Sequence, residues 1–214
     1  MESRELLEED RARADCYALI SRLFYAAADE ALLKQLASAA PLPDPESAAL
    51  PQETEGSEDS DARAYADAFR ALQHAAREAN ADAVRQEYDD FFVGAGKARV
   101  TPYTSGYVQP HSPDRHLLAL RELIATWGLG RREAVFEVED HVSALCDVMR
   151  WLIERDHPLE EQAAFFTDFV YAGAESFCDA IDSNPHASFY RAVARLARAF
   201  LAIEKRGFEL QGAE

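Results

Sequence analysis

Glu137-Val138-Glu139-Asp140-His141 places a histidine one helical turn after one carboxylate and directly beside another. A carboxylate at that spacing raises the imidazole pKa and orients the ring. Glu137 and His141, joined by His111 or His116, would also give three ligands for a divalent metal. Glu137, Asp140, His141 and His116 together would describe a metal-dependent hydrolase. The same acids have a simpler use. At the start of a helix they offset the positive end of its dipole and accept from its unpaired amides. A second group is Pro102, Tyr103, Ser105 and Tyr107 in the stretch Thr101-Pro-Tyr-Thr-Ser-Gly-Tyr107. Its rings and hydroxyls can stack on and hydrogen-bond an extended peptide, or can cap the core as a packed Ω-loop. Trp127, Trp151, Phe165, Phe166 and Phe169 recur at helical spacing and read as core. The chain has no Walker-type phosphate loop, no GxGxxG, no GxSxG and no HExxH.

The elements that must carry these residues are helices. Tyr17, Ile20, Phe24 and Ala27 form one stripe of a helix over 5–28, and a short helix over 30–40 stops at Pro41. Tyr65, Phe69 and Leu72 mark a helix over 62–79. Val84, Tyr88 and Phe91 mark another over 82–93, ended by Gly94 and Gly96. Residues 97–113 hold Pro102, Gly106, Pro110 and Pro113 and read as a long irregular loop, the kind of connector that often carries function. Leu117, Leu120, Ile124 and Trp127 then mark a helix capped by Ser112 or Asp114. Helices follow over 137–155 and 159–181, and a last one, opened by Pro185, carries Phe189, Val193, Leu196, Phe200 and Ile203. No strand alternation and no repeat is evident. The expected fold class is all-α, a single-domain bundle of about eight to ten helices.

Charge bounds the partners. Thirty-nine acids against 22 bases give a formal net charge of −17. That excludes a nucleic-acid phosphate backbone as the natural ligand. Residues 44–61 contribute acids and no base, and read as a mobile acidic loop. Of the basic residues only Lys34, Lys97 and Lys205 are lysines. Salt adaptation of a halophilic source accounts for this composition, and so does a basic partner. No basic, apolar leader opens the chain and no run reaches about 18 apolar residues, so the expectation is a cytoplasmic protein without a membrane span. Cys16, Cys146 and Cys178 are widely spaced and fit buried thiols rather than a disulfide or zinc framework.

Taken in order, three motifs carry a resemblance. Glu87-Tyr-Asp-Asp-Phe91-Phe-Val-Gly94 followed by Pro102-Tyr-Thr-Ser105-Gly-Tyr107 resembles the Y-x-x-L-F-x-G … P-x-x-S-x-Y stretch of the TorD/DmsD family of redox-enzyme maturation chaperones. Glu137-Val-Glu139-Asp140-His141 resembles that family's E-P-x-D-H signature, and His186-Ala-Ser-Phe189-Tyr190-Arg-Ala-Val-Ala194 its last-helix pattern. The family proline is Val138 here, and Phe91-Phe92 stands where Leu-Phe is commoner. The acidic stretch 44–61 has no counterpart in the family pattern.

The resemblance implies an all-α cytoplasmic chaperone without turnover or cofactor, monomeric or homodimeric. Its partner would be the precursor of an exported molybdopterin oxidoreductase, of the dimethyl sulfoxide reductase, trimethylamine N-oxide reductase, formate dehydrogenase or nitrate reductase type. It would recognise the twin-arginine signal peptide, with Pro102, Tyr103, Ser105, Tyr107, Glu137, Asp140 and His141 lining the groove. Weak binding of guanine nucleotide is implied by the same likeness. Asp140 and Glu137 suit a guanidinium, and Tyr103 and Tyr107 suit its flat face or the apolar segment that follows.

Overall fold

The computed structural model describes residues 6–42, 57–94, 98–130 and 138–212. Among them are α- and π-helices, one isolated bridge and no strand, so the chain is all-α as expected. No described helix is long and apolar enough to cross a membrane. Two compact units form, Met1–Ala26 with Thr101–Phe177 and Ala27–Val100 with Cys178–Glu214.

In the first unit, α1 (Glu8–Tyr25) packs mainly on the helix Val142–Glu154. The predicted stripe holds: Tyr17, Ile20 and Phe24 are buried, as are Leu145, Met149 and Leu152 opposite. The unit also contains a single helical turn, Ser105–Val108, and the helix Pro113–Thr126, which Gly128 ends with a left-handed φ of 73°. A further helical run passes from Leu159–Phe165 through a π segment, Phe166–Tyr171, into Ala172–Asp182. Phe165, Phe166, Phe169, Val170 and Phe177 are buried along it, and Phe24 meets Phe177 edge-to-face at 5.0 Å. The two tryptophans depart from the expected core. Trp127 and Trp151 are half-buried and stand in a ring cluster with His157. Arg155 covers the face of Trp151 at 5.9 Å.

The second unit holds α2 (Glu30–Ser38) and the helices Ser57–Glu78, Ala81–Tyr88 and Phe189–Gln211. The helix Ser57–Glu78 packs on both α2 and Phe189–Gln211. In chain order the elements are α1 (Glu8–Tyr25), α2 (Glu30–Ser38), α3 (Ser57–Glu78), α4 (Ala81–Tyr88, with a π segment Asp89–Val93) and α5 (Ser105–Val108). Then come α6 (Pro113–Thr126), α7 (Val142–Glu154), α8 (Leu159–Phe165), α9 (Ala172–Asp182) and α10 (Phe189–Gln211).

Several boundaries differ from the sequence expectation. The first helix ends at Tyr25, because Ala26 is extended and Asp29 caps a new helix by accepting from the Leu32 amide at 2.8 Å. Residues 57–61 of the expected acidic loop belong to α3, while 44–56 lie outside the described residues. The last helix begins at Phe189, after Pro185, because Glu87 caps it. The Glu87 carboxylate accepts from the amides of Ser188 at 2.8 Å and of Phe189 and Tyr190 at 3.0 Å. Along α10, Phe189, Val193, Leu196 and Phe200 are buried, as their spacing predicts. Cys146 and Cys178 are buried and Cys16 half-buried.

Candidate peptide-binding site

Pro102 cannot donate a backbone hydrogen bond, but its carbonyl accepts from the Val142 amide at 2.9 Å. One residue on, Tyr103 forms an antiparallel bridge with His141. The Thr104 amide then donates to the Asp140 carbonyl at 3.0 Å, and the Thr104 hydroxyl donates to the same oxygen at 3.2 Å. These bonds tie the loop before α5 to the turn before α7, across a sequence separation of 36 residues. The expected irregular loop over 97–113 is therefore structured at its centre, with α5 as a helical turn.

The turn places Asp140 and His141 differently from the sequence expectation. Both sit at the start of a helix, but α7 begins only at Val142, and they are not on an exposed end. Asp140 is 4% exposed and His141 2%. The Asp140 carboxylate accepts from the Ser105 amide at 3.4 Å. His141 is the N-cap of α7. Its Nδ1 accepts from the Ser143 amide at 3.2 Å and meets the Ser143 hydroxyl at 2.7 Å. That amide bond needs the Nδ1 lone pair, which puts the ring proton of the neutral form on Nε2. The His141 ring meets Tyr103 edge-to-face at 5.4 Å. The Tyr107 hydroxyl donates to the Thr101 carbonyl at 2.9 Å, and its ring meets Phe177 at 6.3 Å.

The structure thus brings Pro102, Tyr103, Ser105, Tyr107, Asp140 and His141 together. Glu137 lies outside the described residues. Glu139 is paired with Arg121 at 2.9 Å. Two polar atoms here have no hydrogen-bond partner among the described residues. One is the hydroxyl of Ser105, itself 2% exposed; the other is Nε2 of His116 on α6. The His116 ring lies 5.1 Å from Phe169. Burial pushes its pKa below the ordinary 6.5, opposed by the carboxylates of Asp140 and Asp168. His116 therefore faces the site through Asp140, not through a ligand set. Among the described residues no three His, Cys, Asp or Glu side chains are grouped to hold a metal. His111 is exposed.

The sign of the His116 shift fixes a pH effect. The folded chain takes up this proton less readily than the unfolded chain. Stability from this group is complete above pH 6.5 and falls as pH drops below 6.5 toward the lowered folded value. The melting temperature is therefore expected to fall more between neutral pH and about pH 5 in the wild type than in His116→Gln. Equal acid sensitivity of the two proteins would contradict this.

Sequence reasoning did not single out Thr104, Ser143, Arg121 or Gly173. Thr104 bears on the site through bonds to the Asp140 carbonyl 36 residues away, which spacing along one helix does not reveal, and Ser143 bears on it by holding the His141 ring. A hollow of about 660 Å³ lies in the unit of α4 and α10, with His74, Asn80, Asp90 and His186 on its wall. Its Glu87 is already committed to three amides of the last helix.

A family model described as the nitrate reductase delta subunit matches residues 58–179, more than half of the chain. No individual curated protein matches it.

Proposed function

Since the chain belongs to the nitrate reductase delta subunit family, the NarJ/TorD-type chaperones that mature molybdoenzymes and are not enzymes, we propose that it holds the precursor of a nitrate reductase-type molybdoenzyme in the cytoplasm. It does so through the signal-peptide region, at the loop of Pro102 to Tyr107 and the turn of Asp140 and His141. The observation that carries this reading is the unmet hydrogen bonding of Ser105 and His116 beside the Asp140 carboxylate. Buried polar atoms are paired in the great majority of cases, and each exception calls for a partner. A twin-arginine segment supplies donors of the right kind. A guanidinium offers five N–H groups in a fixed fork, and a neutral imidazole, a hydroxyl and a carboxylate can all accept them.

Magnitudes decide what such a contact contributes. A hydrogen bond to a charged group in a desolvated groove is worth about 1.5–3 kcal/mol. An exposed ion pair contributes about 0–1 kcal/mol, less at high salt. With Asp140 and Ser105 both buried, the proposed contact belongs to the first regime. The metal-dependent hydrolase finds no support: the family is one of chaperones, the Asp140 carboxylate accepts from the loop and the His141 ring caps α7.

Calorimetric titration with a twin-arginine signal peptide tests the reading. The account expects binding that weakens at least tenfold when both arginines become lysines, because lysine is a point charge without the planar fork. Equal affinity for the two peptides would defeat the claim that guanidinium geometry is read.

A further inference from the structure

Gly173 lies in the run Tyr171-Ala-Gly-Ala174, just after the π segment and inside α9. A Cβ on this residue would stand 2.7 Å from Cβ of Thr104, 2.8 Å from its carbonyl oxygen and 3.0 Å from its Cα. Carbon contacts that short lie well inside the optimum of about 3.5–4.0 Å, so something must move. Two of the three atoms are backbone, so no rotamer of Thr104 relieves the clash.

The helix is the less able of the two to yield. Phe166 and Val170 on one side of Gly173 and Ala174 and Phe177 on the other are each 0–1% exposed. A close-packed interior transmits such a displacement rather than absorbing it. The loop carries the compliant atoms. It is held by the Thr104 and Val142 amide bonds and by the Ser105 amide bond to Asp140, already long at 3.4 Å.

We propose that Gly173 is a positioning residue of the client site: its bare backbone is the seat on which Thr104 rests. The seat sets how deep the Tyr103–Ser105 segment lies, and so where the Ser105 hydroxyl stands relative to the Asp140 carboxylate. Glycine serves here because it allows another backbone to approach closely. Glycine in a helix interior is otherwise unfavourable relative to alanine, so its presence is explained by the contact rather than by helix propensity. The ligand named in this inference rests on the proposed function; the seat itself rests on the contact.

The test combines two readouts on the full chain. Gly173→Ala is titrated with the twin-arginine peptide, and amide exchange is followed residue by residue. The expected result is at least a tenfold loss of affinity. It is joined by faster exchange at Thr104, Ser105 and Val142, while Met149 and Leu152 in the middle of α7 stay protected. Wild-type affinity and unchanged exchange in Gly173→Ala would overturn the proposal. So would exchange that rises uniformly through α7. A wild-type protein that ignores the peptide would instead sink the ligand assignment, and the exchange pattern would still decide the seat.

Discussion

Replacing Glu87 with alanine is expected to lower stability by about 3 kcal/mol, a large fraction of the 5–15 kcal/mol typical of a folded domain. One carboxylate holds three consecutive amides at the start of α10, at 2.8–3.0 Å. Hydrogen bonds to a charged group are worth about 1.5–3 kcal/mol each. They are not independent here, and water can replace the bond to Ser188, which is exposed. Phe189 and Tyr190 are buried, so their amides have no such substitute. The negative charge also offsets the positive end of a 23-residue helix. Glu87→Gln keeps the shape and an acceptor but loses the charge, so its loss is expected to be about half as large. Denaturant unfolding of the three proteins checks the order. A Glu87→Ala protein within about 0.5 kcal/mol of the wild type would show that the cap is dispensable.

That contact also explains why two of the sequence motifs occur together. Glu87 opens the Glu87–Gly94 stretch, and Ser188, Phe189 and Tyr190 lie in the last-helix pattern, about a hundred residues away. The sequence displays both motifs without the bond between them. Helical stripes were legible because burial of Tyr17, Ile20 and Phe24, or of Phe189, Val193 and Leu196, follows the 3.6-residue period. The break at Ala26 was not, since it depends on Asp29 as a cap and not on a proline or glycine. The π segments at Asp89–Val93 and Phe166–Tyr171 were hidden because one extra residue in a turn barely disturbs an aromatic-rich pattern.

The site shows the same division. The motifs that carry Pro102, Ser105, Tyr107, Asp140 and His141 were visible in the sequence; the burial of Ser105, Asp140 and His141 was not. Acids and histidine are residue types usually found exposed or intermediate. Asp140 and His141 are covered because a loop some 36 residues earlier in the chain bridges onto their backbone. Substituting either residue therefore tests folding as well as binding, which is why peptide chemistry and Gly173 make cleaner probes. Gly173 itself looks like one more small residue in a helix until Thr104 is placed against it.

A chaperone that matures a molybdoenzyme must bind the client before cofactor insertion and lose it afterwards. Chemically this is a difference of affinities between two states of one protein. Moving a client from 99% bound to 99% released requires a change of about 10⁴-fold, or ~5.5 kcal/mol. A smaller preference would leave the two states mixed. In the proposed reading, the site takes a segment that is exposed in the immature client and withdrawn or removed later. The direct measurement uses the catalytic subunit of a nitrate reductase-type oxidoreductase, prepared with its signal region in cells lacking the molybdopterin cofactor and in cells supplying it. Each form is titrated against the full chain by calorimetry. The account predicts binding to the cofactor-free form and about 10⁴-fold weaker binding to the loaded form. Equal affinity for both, or binding to neither, would contradict it.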